Sequence, residues 1–117
     1  MITPPPREVR LIRAERVLQV TFAEDVAFRL PAEYLRVFSP SAEVQGHGAA
    51  QKVLVLGKEN VAIRDIERIG HYAIRLIFDD GHDSGIYSWA YLRELGENQQ
   101  ANLREYRNKV AQIRQST

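Results

Sequence analysis

Asp79-Asp80-Gly81-His82-Asp83 places three carboxylates and an imidazole within five consecutive positions, the densest titratable group in the chain. Both kinds of side chain ligate metals, and crowding of this kind shifts pKa values toward those that acid–base chemistry uses. The spacing does not make an EF-hand loop, which needs acidic groups at alternate positions and a distant glutamate. Asp80-Gly81 is also a hairpin-turn signal, and a hairpin tip keeps its carboxylates hydrated. Three readings stay open: a plain polar turn, a weak or partner-completed metal site at His82, and a recognition surface.

On the recognition reading the surface combines Asp80, His82 and Asp83 with Tyr87 and Trp89, because aromatic residues are favoured at interface centres. The alternative for Tyr87 and Trp89 is core packing at a strand–helix junction. His47, between Gly46 and Gly48, and His71, after Gly70, have no spacing that joins them to His82 on one ion. An acid–base pair of Asp80 and His82 requires a deep pocket, which a solvated tip does not offer.

The rest of the composition narrows the chemistry further. With no cysteine among 117 residues there is no thiolate nucleophile, disulfide framework or cysteine metal site. No Gly-x-Ser-x-Gly elbow and no phosphate-cradling glycine loop occurs. The expectation is therefore a non-enzyme. A net charge of +1 gives little steering toward nucleic acid or an anionic membrane. Arg7, Arg10, Arg13 and Arg16 recur every third residue, a spacing that alternates faces on a strand, with Glu8 and Glu15 among them; the expectation is a solvated mixed-charge surface, the alternative a phosphate-binding strip. No apolar run approaches the ~20 residues that cross a bilayer. The Met-Ile-Thr-Pro-Pro-Pro start lacks the basic and apolar regions of a signal peptide, so cytoplasmic residence is the default.

The elements that position the acidic segment come as a repeat. Leu18 to Arg36 is echoed by Ile74 to Arg93, each copy a strand, an acidic turn, a strand and a helix containing Tyr-Leu-Arg. Alternation predicts strands over 8–14, 17–22, 26–30, 61–69, 72–78 and 85–87, with 53–56 a strand or a packed loop. Pro31 opens a helix running to Phe38, and Ser39-Pro40-Ser41 stops or redirects it. Ser88 is placed to cap a helix starting at Trp89, and Gly96 to end it. A last helix over about 98–114 carries a stripe of Leu103, Tyr106, Val110 and Ile113, which docks on the sheet or pairs with another copy of the chain. Tyr34 matches Tyr91, and Leu35 and Leu92 are expected in the shared core.

The expected fold is α+β: a two-layer sandwich, one mostly antiparallel sheet with helices on one face and an internal strand–strand–helix pseudo-repeat. Residues 1–7 form a loose tail, 8–96 the domain, and 97–117 a C-terminal helix that is docked or partner-binding.

The segment Tyr72-Ala-Ile-Arg-Leu-Ile-Phe-Asp-Asp-Gly-His-Asp-Ser-Gly-Ile-Tyr-Ser-Trp-Ala-Tyr-Leu-Arg93 resembles the gamma-butyrobetaine hydroxylase-like N-terminal domain, formerly a family of unknown function. Leu30-Pro-Ala-Glu-Tyr-Leu-Arg36, Ser39 to His47 and Gly70 to Ile74 add to the likeness, which covers roughly residues 8–95. The chain is similar to the stand-alone bacterial form. In the carnitine-pathway hydroxylases such a domain is non-catalytic; it precedes an iron and 2-oxoglutarate domain, holds a structural zinc through three cysteines and one histidine, and helps dimerisation. The resemblance places His82 at that histidine and Ser39, Ser41 and Val44 at about the cysteine positions, none of which supplies a thiolate. No cofactor is therefore expected, zinc or iron being the ions that His82 and its neighbours would take. The catalytic domain is not carried over. Related domains fused to P-loop scaffolds for iron–sulfur cluster assembly imply an accessory, partner-binding role, with another protein or a second copy as partner. The alternative is a metal-binding or metal-delivery domain serving iron or iron–sulfur proteins.

Overall fold

In a computed structural model of the protein, residues 3–45 and 54–115 are described. Strands β1 (Glu8–Ile12), β2 (Val17–Thr21) and β3 (Ala27–Pro31) form one antiparallel sheet in that order. Helices α1 (Ala32–Val37) and α2 (Ala42–Gln45) follow. Strands β4 (Ile63–Ile69), β5 (Ala73–Phe78) and β6 (Ile86–Ser88) form a second antiparallel sheet, and helices α3 (Trp89–Glu97) and α4 (Gln99–Gln115) complete the fold. The class is α+β as expected. Hydrogen bonding, however, divides the strands into two three-stranded sheets, where one sheet was expected.

Alternation accounts for the strands. On β2, Leu18 and Val20 point inward while Gln19 faces Arg10 and Arg29 across the outer surface. On β5, Ile74, Leu76 and Phe78 point inward, and Arg75 lies between Glu67 of β4 and Ile86 of β6 on the outer face. These inner faces share one buried cluster with Tyr34 and Leu35 of α1 and Trp89, Leu92 and Leu95 of α3. α3 joins the two sheets by packing on both β3 and β6.

Local signals set the helix ends. Ser88 caps α3 as predicted, its hydroxyl accepting from the Tyr91 amide at 3.0 Å. Pro31, extended at ψ 146°, immediately precedes α1. Gly96 departs from expectation: it lies inside α3, which Asn98 closes through its backbone and side-chain amides on the Glu94 carbonyl. The glycine serves packing instead, since a Cβ there would stand 2.3 Å from the Phe28 ring.

The first half of α4 is docked. Leu103 packs on the core, Asn102 donates to the Tyr34 phenol at 3.1 Å, and Tyr106 donates to the Val55 carbonyl at 2.6 Å. Beyond Val110 the helix is exposed, Ile113 included. Leu54 to Leu56 form no strand, and Val53 lies outside the described residues, as do Gly46, His47 and Gly48.

Candidate functional site

The β5–β6 hairpin turns at Gly81, whose φ of +92° favours a residue without a Cβ. The turn is closed by bonds from the Gly81 amide to the Phe78 carbonyl and from the Phe78 amide to the His82 carbonyl. Asp80 adds a side-chain bond of its own, accepting from the His82 amide at 3.0 Å.

Each carboxylate of the acidic segment has a separate structural task. Asp79 accepts from the Ala62 amide at 3.0 Å and donates its own amide to the Ala62 carbonyl, tying the chain ahead of β4 to the hairpin. Asp80 receives Arg36 Nε and Lys58 Nζ on one oxygen, each at 2.8 Å, and its side chain is only 18% exposed. Burial alone would raise the Asp80 pKa, but the hydrogen bonds from Lys58, the His82 amide and Arg36 override it and hold this carboxyl far below the usual carboxylate range. Asp83, its side chain 60% exposed, lies 3.7 Å from Arg75, which also donates to the Asp83 carbonyl.

His82 is buried, at 5% exposure, which corrects the expectation of a fully solvated tip. What covers it comes from the junction after α1. Its Nε2 lies 2.9 Å from the hydroxyl of fully buried Ser39, and Phe78 stacks at a tilt beside its ring. Ser39 Oγ also accepts from the Ser41 amide at 3.2 Å, and the Ser41 and Ser84 hydroxyls bond at 2.7 Å. Gly85 lets these segments close, because a Cβ there would sit 2.5 Å from Ser39 Oγ.

Tyr87 and Trp89 are core residues, so the surface expected of Asp80, His82, Asp83, Tyr87 and Trp89 does not form as one exposed face. Tyr87 is fully buried; its hydroxyl donates to the Leu35 carbonyl, and burial pushes its pKa up. Trp89 Nε1 donates to the His71 carbonyl at 2.7 Å. Both reach inward because β6 leads directly into a helix that lies on the core. Arg36, Lys58, Ser84 and Gly85 complete this cluster and were missed. The repeat itself held a signal for Arg36, which ends the first Tyr-Leu-Arg as Arg93 ends the second.

The cluster does not fit the closed zinc site that the family resemblance implies. Such a site needs four good ligands, and the positions in question hold Ser39, Ser41 and Val44 beside His82. Neutral hydroxyls and an isopropyl group cannot replace thiolates, and His82 Nε2 is engaged by Ser39. Among the described residues no three histidine or acidic side chains converge as a metal site. His47 lies outside them. An open groove of about 710 Å³ runs between α1, α3 and α4, lined in part by Phe38, Val44, Tyr91, Asn102 and Tyr106, and none of the hairpin's polar groups lines it. Among the described residues no helix is long and apolar enough to cross a membrane.

A family model described as gamma-butyrobetaine hydroxylase-like, N-terminal, matches residues 9–93. Two proteins solved by NMR are similar over most of their length. One is 45% identical with a TM-score of 0.81, covering 93% of this chain and 86% of that one. The other is 44% identical with a TM-score of 0.82, covering 96% and 83%. A crystal structure of a protein of unknown function from Acidithiobacillus ferrooxidans ATCC 23270, of the DUF971 family, is 40% identical with a TM-score of 0.66, covering 78% of this chain and 91% of that one. No functionally curated protein matches the chain.

Proposed function

The chain belongs to the gamma-butyrobetaine hydroxylase-like N-terminal family, and on that premise we propose that it is a non-catalytic accessory module that binds another protein. One observation carries this reading: the polar groups best suited to chemistry are consumed in internal bonds. Asp80 is held by two cations, and Ser39 and His82 are buried against each other. A general acid, base or nucleophile must reach its substrate, whereas Ser39 and His82 are buried and Asp80 is capped by Arg36 and Lys58.

The surface offered to a partner is the outer face of the second sheet. Glu67, Arg75 and Ile86 form one row across β4, β5 and β6, Asp83 borders it at Arg75, and Ile86 is 44% exposed. An apolar residue bounded by opposite charges supplies a contact centre with a polar rim, the common arrangement of a protein interface. Of the five residues first grouped as a recognition surface, Asp83 is the one that contributes directly to this face.

Affinity purification with quantitative mass spectrometry tests the proposal, using wild type and an Ile86→Ser/Arg75→Glu variant whose circular dichroism matches wild type. The variant is expected to lose at least tenfold of a partner that wild type enriches. An unchanged partner list would remove this face from the reading. Unaided turnover of a small molecule by the purified protein would overturn the non-catalytic assignment.

A further inference from the structure

We infer that the end of the first sheet holding the β1–β2 turn is a second contact surface, which takes an acidic polypeptide segment through Arg10, Arg13 and Arg16. Strand pairing gathers the cations there. Arg10, Gln19 and Arg29 form one row across β1, β2 and β3, and the β1–β2 connection adds Arg13 and Arg16. All four arginines are exposed. Glu15, the carboxylate of that connection, bonds Arg29 at 2.6 Å. Arg10, Arg13 and Arg16 enter no ion pair or side-chain hydrogen bond among the described residues. Glu8, Glu24 and Asp25 lie toward the opposite end of the sheet, where Asp25 meets Arg7.

Arg16 carries the argument. Its φ of +54° lies in the left-handed region that favours glycine. The bonds made at this residue use main-chain atoms: its amide donates to the Arg13 carbonyl at 3.2 Å, and its carbonyl accepts from the Ala32 amide at 2.8 Å. The side chain contributes to neither, so a glycine would hold the turn with less strain. A side chain that strains its own backbone and bonds to nothing within the fold is explained by something outside it. The kind of partner follows from the guanidinium and its surroundings. Its planar fork of donors matches a carboxylate, and the Arg29–Glu15 pair already makes that match on this surface. Nucleic acid also offers anions, but single strands are held by bases stacked on aromatic side chains. The residues set in rows with these arginines are Ile12, Val17, Gln19 and Pro31, none of them aromatic. A run of glutamate or aspartate suits this face better than RNA. The surface lies on the other sheet from Ile86, so the two contact faces stand or fail separately.

Titration of the 15N-labelled protein with a capped hexaglutamate peptide at low salt, followed by amide NMR, tests the inference. Saturable shifts are expected at residues 10–19 and at Arg29, with affinity about tenfold lower in Arg10→Ser/Arg13→Ser. Shifts spread equally over Arg64, Arg68 and Arg104 would reduce the effect to general charge attraction and end the claim of a surface. Tighter binding of hexauridylate than of hexaglutamate would overturn the choice of partner. Arg16→Gly separates binding from folding: its melting temperature should rise while its affinity for hexaglutamate falls. Unchanged affinity, or no rise in melting temperature, would defeat the argument from Arg16.

Discussion

The two hairpin–helix units exchange the same parts yet finish their tips differently. Tyr34 of α1 donates to the Leu95 carbonyl in the last turn of α3, and Tyr91 of α3 donates to the Phe38 carbonyl at the end of α1. Each phenol thus reaches the carbonyl four positions past its counterpart. The arginines cross over too: Arg36 pairs with Asp80 in the second hairpin, and the Arg93 guanidinium lies 5.3 Å from the Phe22 ring centre beside the first. The first tip is left to solvent, with Glu24 and Asp25 at positive φ and Asp25 in an exposed pair with Arg7. The second turns on a glycine and is tied down by Arg36, Lys58 and Ser39. Equivalent sequences therefore carry equal weight where helix meets helix, and unequal weight where a tip does or does not meet a neighbour.

The largest test concerns the shared interior. Leu35 and Leu92 are both fully buried, and replacing either by alanine should cost ~3 kcal/mol in chemical denaturation. A difference above ~2.5 kcal/mol between them would break the equivalence of the units, since buried Leu→Ala sites already spread by ~2.3 kcal/mol.

The tips should part more sharply. Asp80→Asn is expected to destabilise by ~2 kcal/mol, because it removes a partly buried charge that faces two cations. Asp25→Asn, at an exposed ion pair, should stay within ~0.5 kcal/mol. The folded Asp80 pKa is depressed below its unfolded value of ~4, so its contribution is full above that pH and lost as the pH falls below it. Denaturation midpoints followed from pH ~6 downward should fall for wild type, and this part of the slope should be missing in Asp80→Asn. Equal slopes would mean the anchoring charge is spent elsewhere.

Tyr34→Phe and Tyr91→Phe should each cost ~1 kcal/mol, the usual net value of one hydrogen bond. Burial pushes the Tyr91 hydroxyl up to about 12, so neither the bond nor its effect should change between neutral pH and mild alkali. The smallest effect separates the turns. Glu24→Gly should raise stability by ~0.5 kcal/mol by relieving a left-handed non-glycine residue, and Gly81→Ala should lower it by ~1 kcal/mol. Thermal melts resolve both signs.

Much of this fold was legible in the residues. Period-two alternation marked β2 and β5, Ser88 marked the start of α3, and the paired Tyr-Leu-Arg segments marked the two helices and their matched phenols. The division into two sheets was not, because turn signals fix pairing within a hairpin and say nothing of strands from different hairpins. Gly96 carried two competing meanings, and only the nearness of Phe28 decides between them. The site was less legible than the fold. Asp80 and His82 sit in a segment whose local chemistry favours hydration, and what encloses them arrives from Ser39 and Arg36, more than forty positions earlier. Tyr87 and Trp89 look the same in sequence whether they face a partner or the interior.

The crossed phenols have a consequence for how the molecule comes apart. Because each helix end is fastened by a side chain from the opposite repeat, neither half keeps its own termini satisfied when the other leaves. Amides of both helices should therefore exchange with deuterium as one cooperative block. A polypeptide cut between the repeats should regain its shape only when the pieces are mixed.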